Sequence, residues 1–163
     1  MSTGLNENGP LFLGRAADRL SSVIEEQTEE VFLNAGIVIP VRSCSFMVAL
    51  AKQGSGTVAD LAHALRQSHQ LVAQKVPKLL KLRLISQSKD RNDARRKLLK
   101  LTRLGQEQLD LVESCGLEIE RAYTELFSEL GDLSGVLNRA IDLLEEKPLS
   151  SWATHFVERG PAS

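Results

Sequence analysis

The chain has 163 residues, enough for one domain or one lobed subunit, and its 42% hydrophobic and 25% charged residues are ordinary for a globular protein. No apolar run reaches the ~18 residues of a membrane span, and the start MSTGLNENGP lacks the features of a signal peptide, so we expect a cytoplasmic protein without a membrane partner. The net charge is −1, yet the stretch from Arg66 to Arg103 carries twelve Lys or Arg and two acids, a local charge of +10. A cationic block in an otherwise anionic chain favours a polyanionic partner, most simply nucleic acid.

The N-terminal part predicts two helices. Apolar residues recur at helical spacing from Leu11 to Leu33 with acids on the other side, which is typical of a long amphipathic helix. The segment Asn34-Ala35-Gly36 ends that helix, because glycine is favoured just past a helix end. Pro40 suits the first turn of a second helix, which we expect to continue to about Lys52.

The next segment predicts two short helices joined by a turn. Thr57-Val58-Ala59-Asp60 is a capping box with aspartate in place of glutamate, so a helix begins there. Ser68 is a good N-cap for a further helix over about 69–82. Its buried positions are Val72, Val76 and Leu79, and its opposite face is polar and basic without an acid.

The remainder predicts a hairpin and two helices. Short apolar runs on either side of the Asn- and Asp-rich segment 89–95 are the signal of a β-hairpin. Thr102 caps a long helix over about 103–130, and a last helix follows over about 133–146. The fold class is therefore mainly α with a small β-hairpin wing, a winged helix-turn-helix flanked by long N- and C-terminal helices.

The long helices predict a dimer, since they cannot bury their apolar faces alone. The simplest partner is a second copy, and a symmetric dimer places two recognition helices about 34 Å apart on a palindromic DNA site. We expect residues 1–36 to form an N-terminal dimerisation helix, 37–102 the DNA-binding domain and 103–163 the C-terminal dimerisation helices.

The chemistry of the basic block suits double-stranded DNA. A helix fits the major groove, where the amides of Gln70 and Gln74 can pair with an adenine edge. Backbone N–H groups at the start of that helix favour a phosphate, and Arg91 at the hairpin tip can enter the minor groove. The candidate DNA-binding residues are Ser68, His69, Gln70, Ala73, Gln74 and Lys78 in the recognition helix, and Lys89, Arg91, Arg95 and Arg96 in the wing.

Residues 54–105 resemble the DNA-binding core of the MarR family of bacterial transcriptional regulators. The segment from Asp90 to Arg96, followed by Leu101-Thr102 and Gly105, resembles the family's wing motif, D-x-R-D-x-R-R and then L-T-x-x-G. The long flanking helices resemble its dimerisation region in layout.

Three residues depart from the family pattern. Asn92 replaces an arginine of the wing, and Arg83 stands where a glycine usually ends the recognition helix. Pro77 lies inside that helix, where proline costs ~3 kcal/mol in a regular helix, and we expect a kink after the turns that touch bases.

The resemblance implies a homodimeric regulator. We expect it to be a repressor, and we expect no cofactor. It also implies a small aromatic or phenolic effector bound between the dimerisation helices and the winged core. The residues expected to line that pocket are Phe12, Arg15, Arg42, Phe46 and Leu111.

Two other interpretations stay open. A winged helix can serve as a protein-interaction module without sequence-specific DNA binding. Alternatively, a DNA-binding regulator could be switched by oxidation of Cys44 or Cys115, although both fit small buried apolar residues better and neither has metal-ligand spacing. No catalytic motif is present, so we expect no enzyme, no catalytic residue and no metal site.

Overall fold

The computed structural model describes residues 6, 9–89 and 96–152. Its elements follow the order predicted from the sequence: four helices, a hairpin and two further helices. Short 3-10 turns lie at Pro10–Phe12, Val41–Ser43, Ser128–Leu130 and Leu149–Ser151. The helices and strands are α1 (Leu13–Asn34), α2 (Cys44–Gln53), α3 (Val58–Ala64), α4 (His69–Lys81), β1 (Ile85–Lys89), β2 (Lys97–Leu101), α5 (Arg103–Leu126) and α6 (Leu133–Glu146).

Two helix boundaries differ from the prediction by more than two residues. Pro40 has an extended backbone (φ −60°, ψ 135°), so it precedes a 3-10 turn and α2 itself begins only at Cys44. The helix α5 ends at Leu126 rather than near residue 130, because Phe127 leaves helical geometry and a 3-10 turn takes over.

The chain divides into two compact units, Met1–Leu117 and Glu118–Ser163. The first unit contains the hydrophobic core, which α2, α3, α4 and the hairpin build together. Burying such side chains supplies most of the free energy that opposes the chain entropy of folding. The side chains with less than 2% exposure are Phe46, Met47, Leu50, Leu61, Val72, Leu79, Leu84 and Leu99.

The hairpin pairs β1 with β2 in antiparallel register, from Ile85 opposite Leu101 to Lys89 opposite Lys97. Gly56, just before α3, adds one more pair to this sheet. Its N–H donates to the carbonyl of Leu99 (3.2 Å) and its carbonyl accepts from the N–H of Leu99 (2.9 Å). The wing is therefore joined to the start of the helix-turn-helix through the backbone.

The second unit has no buried side chain among its described residues, 118–152. Its α6 is capped by Asp132, whose carboxylate accepts from the N–H of Gly135 (2.8 Å). Large apolar side chains on α6 remain exposed, including Val136 at 63% and Leu144 at 54%. Across the described part of the chain, no helix is long and apolar enough to cross a bilayer.

Candidate nucleic-acid interface

The helix-turn-helix is held by caps that the sequence predicted. At the start of α3 the N–H of Asp60 donates to Thr57 Oγ1 (3.2 Å), and the N–H of Thr57 donates to Asp60 Oδ2 (2.8 Å). The N–H and then the hydroxyl of Thr57 hold the pKa of Asp60 below its usual range. At the start of α4, Ser68 Oγ accepts from the N–H of Leu71 (3.2 Å). Both helix starts are therefore satisfied locally, as the predicted capping box and N-cap require.

The faces of α4 are divided as the sequence predicted. Val72, Val76 and Leu79 are buried against the core. The helix α4 continues through Pro77 to Lys81, so the proline does not end it. On the solvent side the structure brings together most of the predicted DNA-binding residues. Ser68, His69, Gln70, Gln74 and Lys78 are exposed, and Ala73 is half-buried.

Leu71 also belongs to this exposed face, and sequence reasoning missed it. Its side chain is 52% exposed, although a leucine on a short amphipathic helix is usually buried. Its position in the sequence could have indicated this exposure, because Leu71 lies one residue before Val72 and is not part of the buried stripe of Val72, Val76 and Leu79. An exposed leucine between Gln70 and Gln74 offers a DNA major groove an apolar surface, which suits a thymine methyl group.

Lys75 differs from the other lysines of α4. Its ammonium donates to Gln67 Oε1 (3.1 Å) and its side chain is half-buried. Burial, and then the positive charge of Arg42, lower the pKa of Lys75 below its ordinary value. It therefore links α4 to the preceding turn rather than extending the exposed basic face.

The wing concentrates positive charge toward its tip. Lys89 and Lys97 face each other directly at the last described pair of the hairpin. Like charges in that position repel, so an anion near the tip would stabilise the wing. Arg96 lies 3.5 Å from Asp60 at the base of α3, which joins the wing to the capping box. The predicted wing residues Arg91 and Arg95 lie outside the described residues.

Behind the wing, Thr102 connects the end of α4 to the start of α5. Its hydroxyl lies 2.6 Å from the carbonyl oxygen of Arg83 and accepts from the N–H of Gly105 at 2.9 Å. Its own N–H donates to the carbonyl of Leu84 (3.0 Å). Thr102 and Gly105 are the Thr and Gly of the L-T-x-x-G pattern. Through these contacts they hold the start of α5 against the residues that lead into the hairpin.

Only two of the five predicted effector-pocket residues line the cavity at the start of α1. Phe12 and Arg15 line an open cavity of about 610 Å³ at the start of α1, whose lining excludes the other three residues. Arg42 is paired with Glu25 of α1, and Leu111 is 42% exposed on α5. Phe46 corrects the expectation: it is fully buried in the core, because α2 packs this ring inward, and no ligand can reach it there.

Cys44 is a poor candidate for a redox switch. Burial raises the pKa of its thiol to about 11, and its sulfur lies 3.8 Å from the carbonyl oxygen of Pro40. About one thiol in a thousand is then ionised at pH 8, whereas an exposed cysteine is substantially ionised there. The burial of Cys44 therefore argues against a redox switch through its thiol. Cys115, the other free cysteine, is half-buried on α5.

We expect iodoacetamide to alkylate Cys44 in the folded protein at pH 8 about a hundredfold more slowly than in the unfolded chain, since only the thiolate reacts. Mass spectrometry of the peptide that contains Cys44 measures this rate separately from that of Cys115. The same peptide in denaturant is the control. Equal rates in the two states would restore Cys44 as a redox candidate.

No protein-family model matches the sequence, and no curated protein does. Solved structures do match. A MarR family transcription regulator is 19% identical, with 88% of this chain and 93% of that one covered and a TM-score of 0.60. A mutant MarR from E. coli complexed with operator DNA is 16% identical over 89% and 100% of the two chains, with a TM-score of 0.64. The PcaV transcriptional regulator from Streptomyces coelicolor, in complex with its natural ligand, is 19% identical over 90% and 99%, with a TM-score of 0.63. The chain therefore has the winged helix-turn-helix fold of MarR-family transcription regulators.

Proposed function

We propose that this protein is a transcriptional regulator that binds double-stranded DNA in a sequence-specific way and has no catalytic activity. The observation that carries the proposal is the exposed face of α4. This face presents the amides of Gln70 and Gln74 and the ammonium of Lys78, and the hairpin that follows α4 in the chain is basic. No acid occurs in the sequence between Asp60 and Asp90, so nothing on α4 itself repels a phosphate. A structure of the same fold in complex with operator DNA supports this assignment.

On DNA, α4 would lie in the major groove and the wing would lie beside the adjacent minor groove. Gln70 and Gln74 would contact base edges, and Leu71 would contact a thymine methyl group. Contacts to phosphates would fix the position of the protein. We assign these to Ser68 and His69 at the helix start, Lys78 along the helix, and Lys89, Arg91, Arg95 and Arg96 in the wing, with Ala73 allowing close approach to the groove.

The proposed assembly is a homodimer on a palindromic operator. The exposed apolar side chains of α6, and the lack of any buried side chain in residues 118–152, support a partner that covers this unit. Residues 1–36 and 103–163 would form the dimerisation region, and 37–102 the DNA-binding domain. Two-fold symmetry would then present two recognition helices to two half-sites.

We further propose that the protein is a repressor released by a small aromatic or phenolic effector. The cavity lined by Phe12 and Arg15 supports such a site, because it joins an aromatic ring to a guanidinium that suits a carboxylate or phenolate. The likeness to a regulator in complex with its natural ligand also supports it. Acting on DNA, the protein would work in the cytoplasm.

The test is selection of bound duplexes from a random pool, followed by measurement of affinity against salt concentration. We expect a palindromic sequence and a steep loss of affinity with salt, with a log–log slope of about −0.9 for each phosphate contact. Sedimentation of the free protein should give a dimer. An interaction module would enrich no sequence at any salt concentration, and that outcome would overturn the proposed function.

Two substitutions on α4 separate base contacts from phosphate contacts. Gln74→Ala should weaken binding to the selected operator by about tenfold and leave the salt slope unchanged, because it removes a pair that only the correct base satisfies. Lys78→Ala, the matched variant one turn along the same face, should weaken operator and random DNA equally and reduce the slope by about 1. Fluorescence anisotropy on both duplexes measures these effects. An equal loss on both duplexes for Gln74→Ala would contradict its assigned role.

A further inference from the structure

Three of the helices that the structure describes end in the same left-handed cap. In each, the second residue past the helix has a positive φ and donates its N–H to the carbonyl three residues back, and the next N–H reaches five residues back. Gly36 closes α1 in this way, with N–H···O distances of 3.2 Å and 2.8 Å. Arg66 closes α3 (3.2 Å and 3.0 Å), and Arg83 closes α4 (2.9 Å and 3.0 Å).

The residue type at this position differs among the three caps. Glycine is the default there, since other L-residues meet a steric penalty at positive φ. Arg66 has φ 49° and Arg83 has φ 58°, and among the described residues these are the only non-glycine residues with positive φ. The strained arginines are therefore confined to the two caps that bracket the recognition helix, and the cap of α1 has the unstrained residue.

A backbone strain that glycine would relieve points to a use for the side chain. Arg66 lies two residues before the N-cap of α4, and Arg83 lies two residues after its last residue, Lys81. Both side chains are exposed. The 13 residues of α4 rise about 20 Å along the axis, whereas the DNA major groove is about 12 Å wide. On DNA, residues just beyond the two ends of such a helix would lie within reach of the sugar–phosphate strands that border the groove.

From this placement we propose that Arg66 and Arg83 form a two-ended phosphate clamp, in which each guanidinium binds the DNA strand at one end of α4. Arginine suits this use because its planar donors bind phosphate oxygens in pairs. The clamp rests on the proposed DNA-binding function and deepens it. It would fix how far α4 slides along the groove and so which bases Gln70 and Gln74 contact.

Replacement by glycine tests the clamp, because it removes the guanidinium and relieves the backbone together. Arg83→Gly should raise the melting temperature by about 2–4 °C. Arg66→Gly and Arg83→Gly should each weaken binding to a selected duplex of about 30 base pairs roughly tenfold at moderate salt, and reduce the salt slope by about 1. Arg66→Lys and Arg83→Lys keep the charge and the strain, and should retain most of the slope.

Lys52→Ala in α2 is the control for net charge, because Lys52 is exposed and lies outside both the assigned DNA contacts and the proposed dimerisation region; it should leave the salt slope unchanged. If wild-type protein binds the duplex while both glycine variants keep its affinity and slope, the clamp fails and the proposed function stands. The same conclusion follows if the glycine variants lose both stability and binding, since the arginines would then act on the fold alone. If wild-type protein binds no duplex, the proposed function and the clamp fail together.

Discussion

Gly105→Ala should destabilise the protein by about 3 kcal/mol or more, a large part of the 5–15 kcal/mol that typically holds a domain folded. A Cβ at this position would lie 1.9 Å from the carbonyl oxygen of Leu84 and 2.9 Å from its carbonyl carbon. Both are backbone atoms, so no side chain can rotate away. That carbonyl also accepts the N–H of Thr102 at 3.0 Å, which holds it in place.

The destabilisation should be specific to the joint between the wing and α5. Moving α5 away from Leu84 would break the contacts of Thr102 with Arg83 and Leu84 and would expose the start of the hairpin. DNA affinity should therefore fall together with stability, because the wing would lose its fixed position relative to α4. The two effects have one cause, overpacking against a backbone that cannot shift.

Gly116→Ala, in the same helix, is the matched control. A Cβ there meets no atom of the same subunit within 4 Å, so the expected effect within one subunit is a gain of about 0.5–1 kcal/mol from helix propensity. Urea denaturation of both variants measures the two free energies of unfolding. The packing argument would be refuted by a Gly105→Ala variant as stable as wild type.

Local signals account for most of what the sequence predicted correctly. The Thr57–Asp60 box, the Ser68 cap and the stripe from Val72 to Leu79 each depend on residues within one or two helical turns. Such patterns determine where an element begins and which face it buries. The order of the elements and the buried face of α4 were therefore predictable before any tertiary contact was known.

Contacts between distant segments were not predictable in the same way. The sequence placed Phe46 near a ligand, but the packing of α2 against the core buries it completely. The sequence showed that Arg83 stands where the family usually has a glycine. The positive φ of this arginine is visible only in the folded backbone. The position of Leu71 likewise depends on how α4 is rotated against the core, and no local pattern determines that by itself.

Gln108 is the clearest example of a residue whose role depends on a distant segment. On α5 it is 8% exposed, although glutamine is usually a surface residue. Its Oε1 accepts from the N–H of Val38 (2.6 Å), and its Nε2 donates to the carbonyl oxygen of Gly36 (3.3 Å). The side chain therefore replaces the backbone partners that the connector after α1 lacks, and it joins that connector to α5.

Gln108→Ala should destabilise the protein by about 2–3 kcal/mol, because it removes two hydrogen bonds, leaves the N–H of Val38 without this partner and opens a void. Gln106→Ala is the matched control, since the Gln106 side chain is exposed on the same helix and bonds only to Asp110, one turn away. Its effect should stay within about 0.5 kcal/mol.

The isosteric variant Gln108→Glu distinguishes the loss of hydrogen bonds from the loss of packing. An ionised carboxylate can accept from Val38 but repels the carbonyl of Gly36, so the folded state should raise the pKa of the new carboxyl. The penalty should therefore be present at neutral pH and shrink as pH falls through that raised pKa, where the protonated acid can again donate to Gly36. Urea denaturation of each variant against wild type at several pH values measures this. If Gln108→Glu showed the same penalty at every pH, the loss would come from packing alone, and the connector would not depend on these hydrogen bonds.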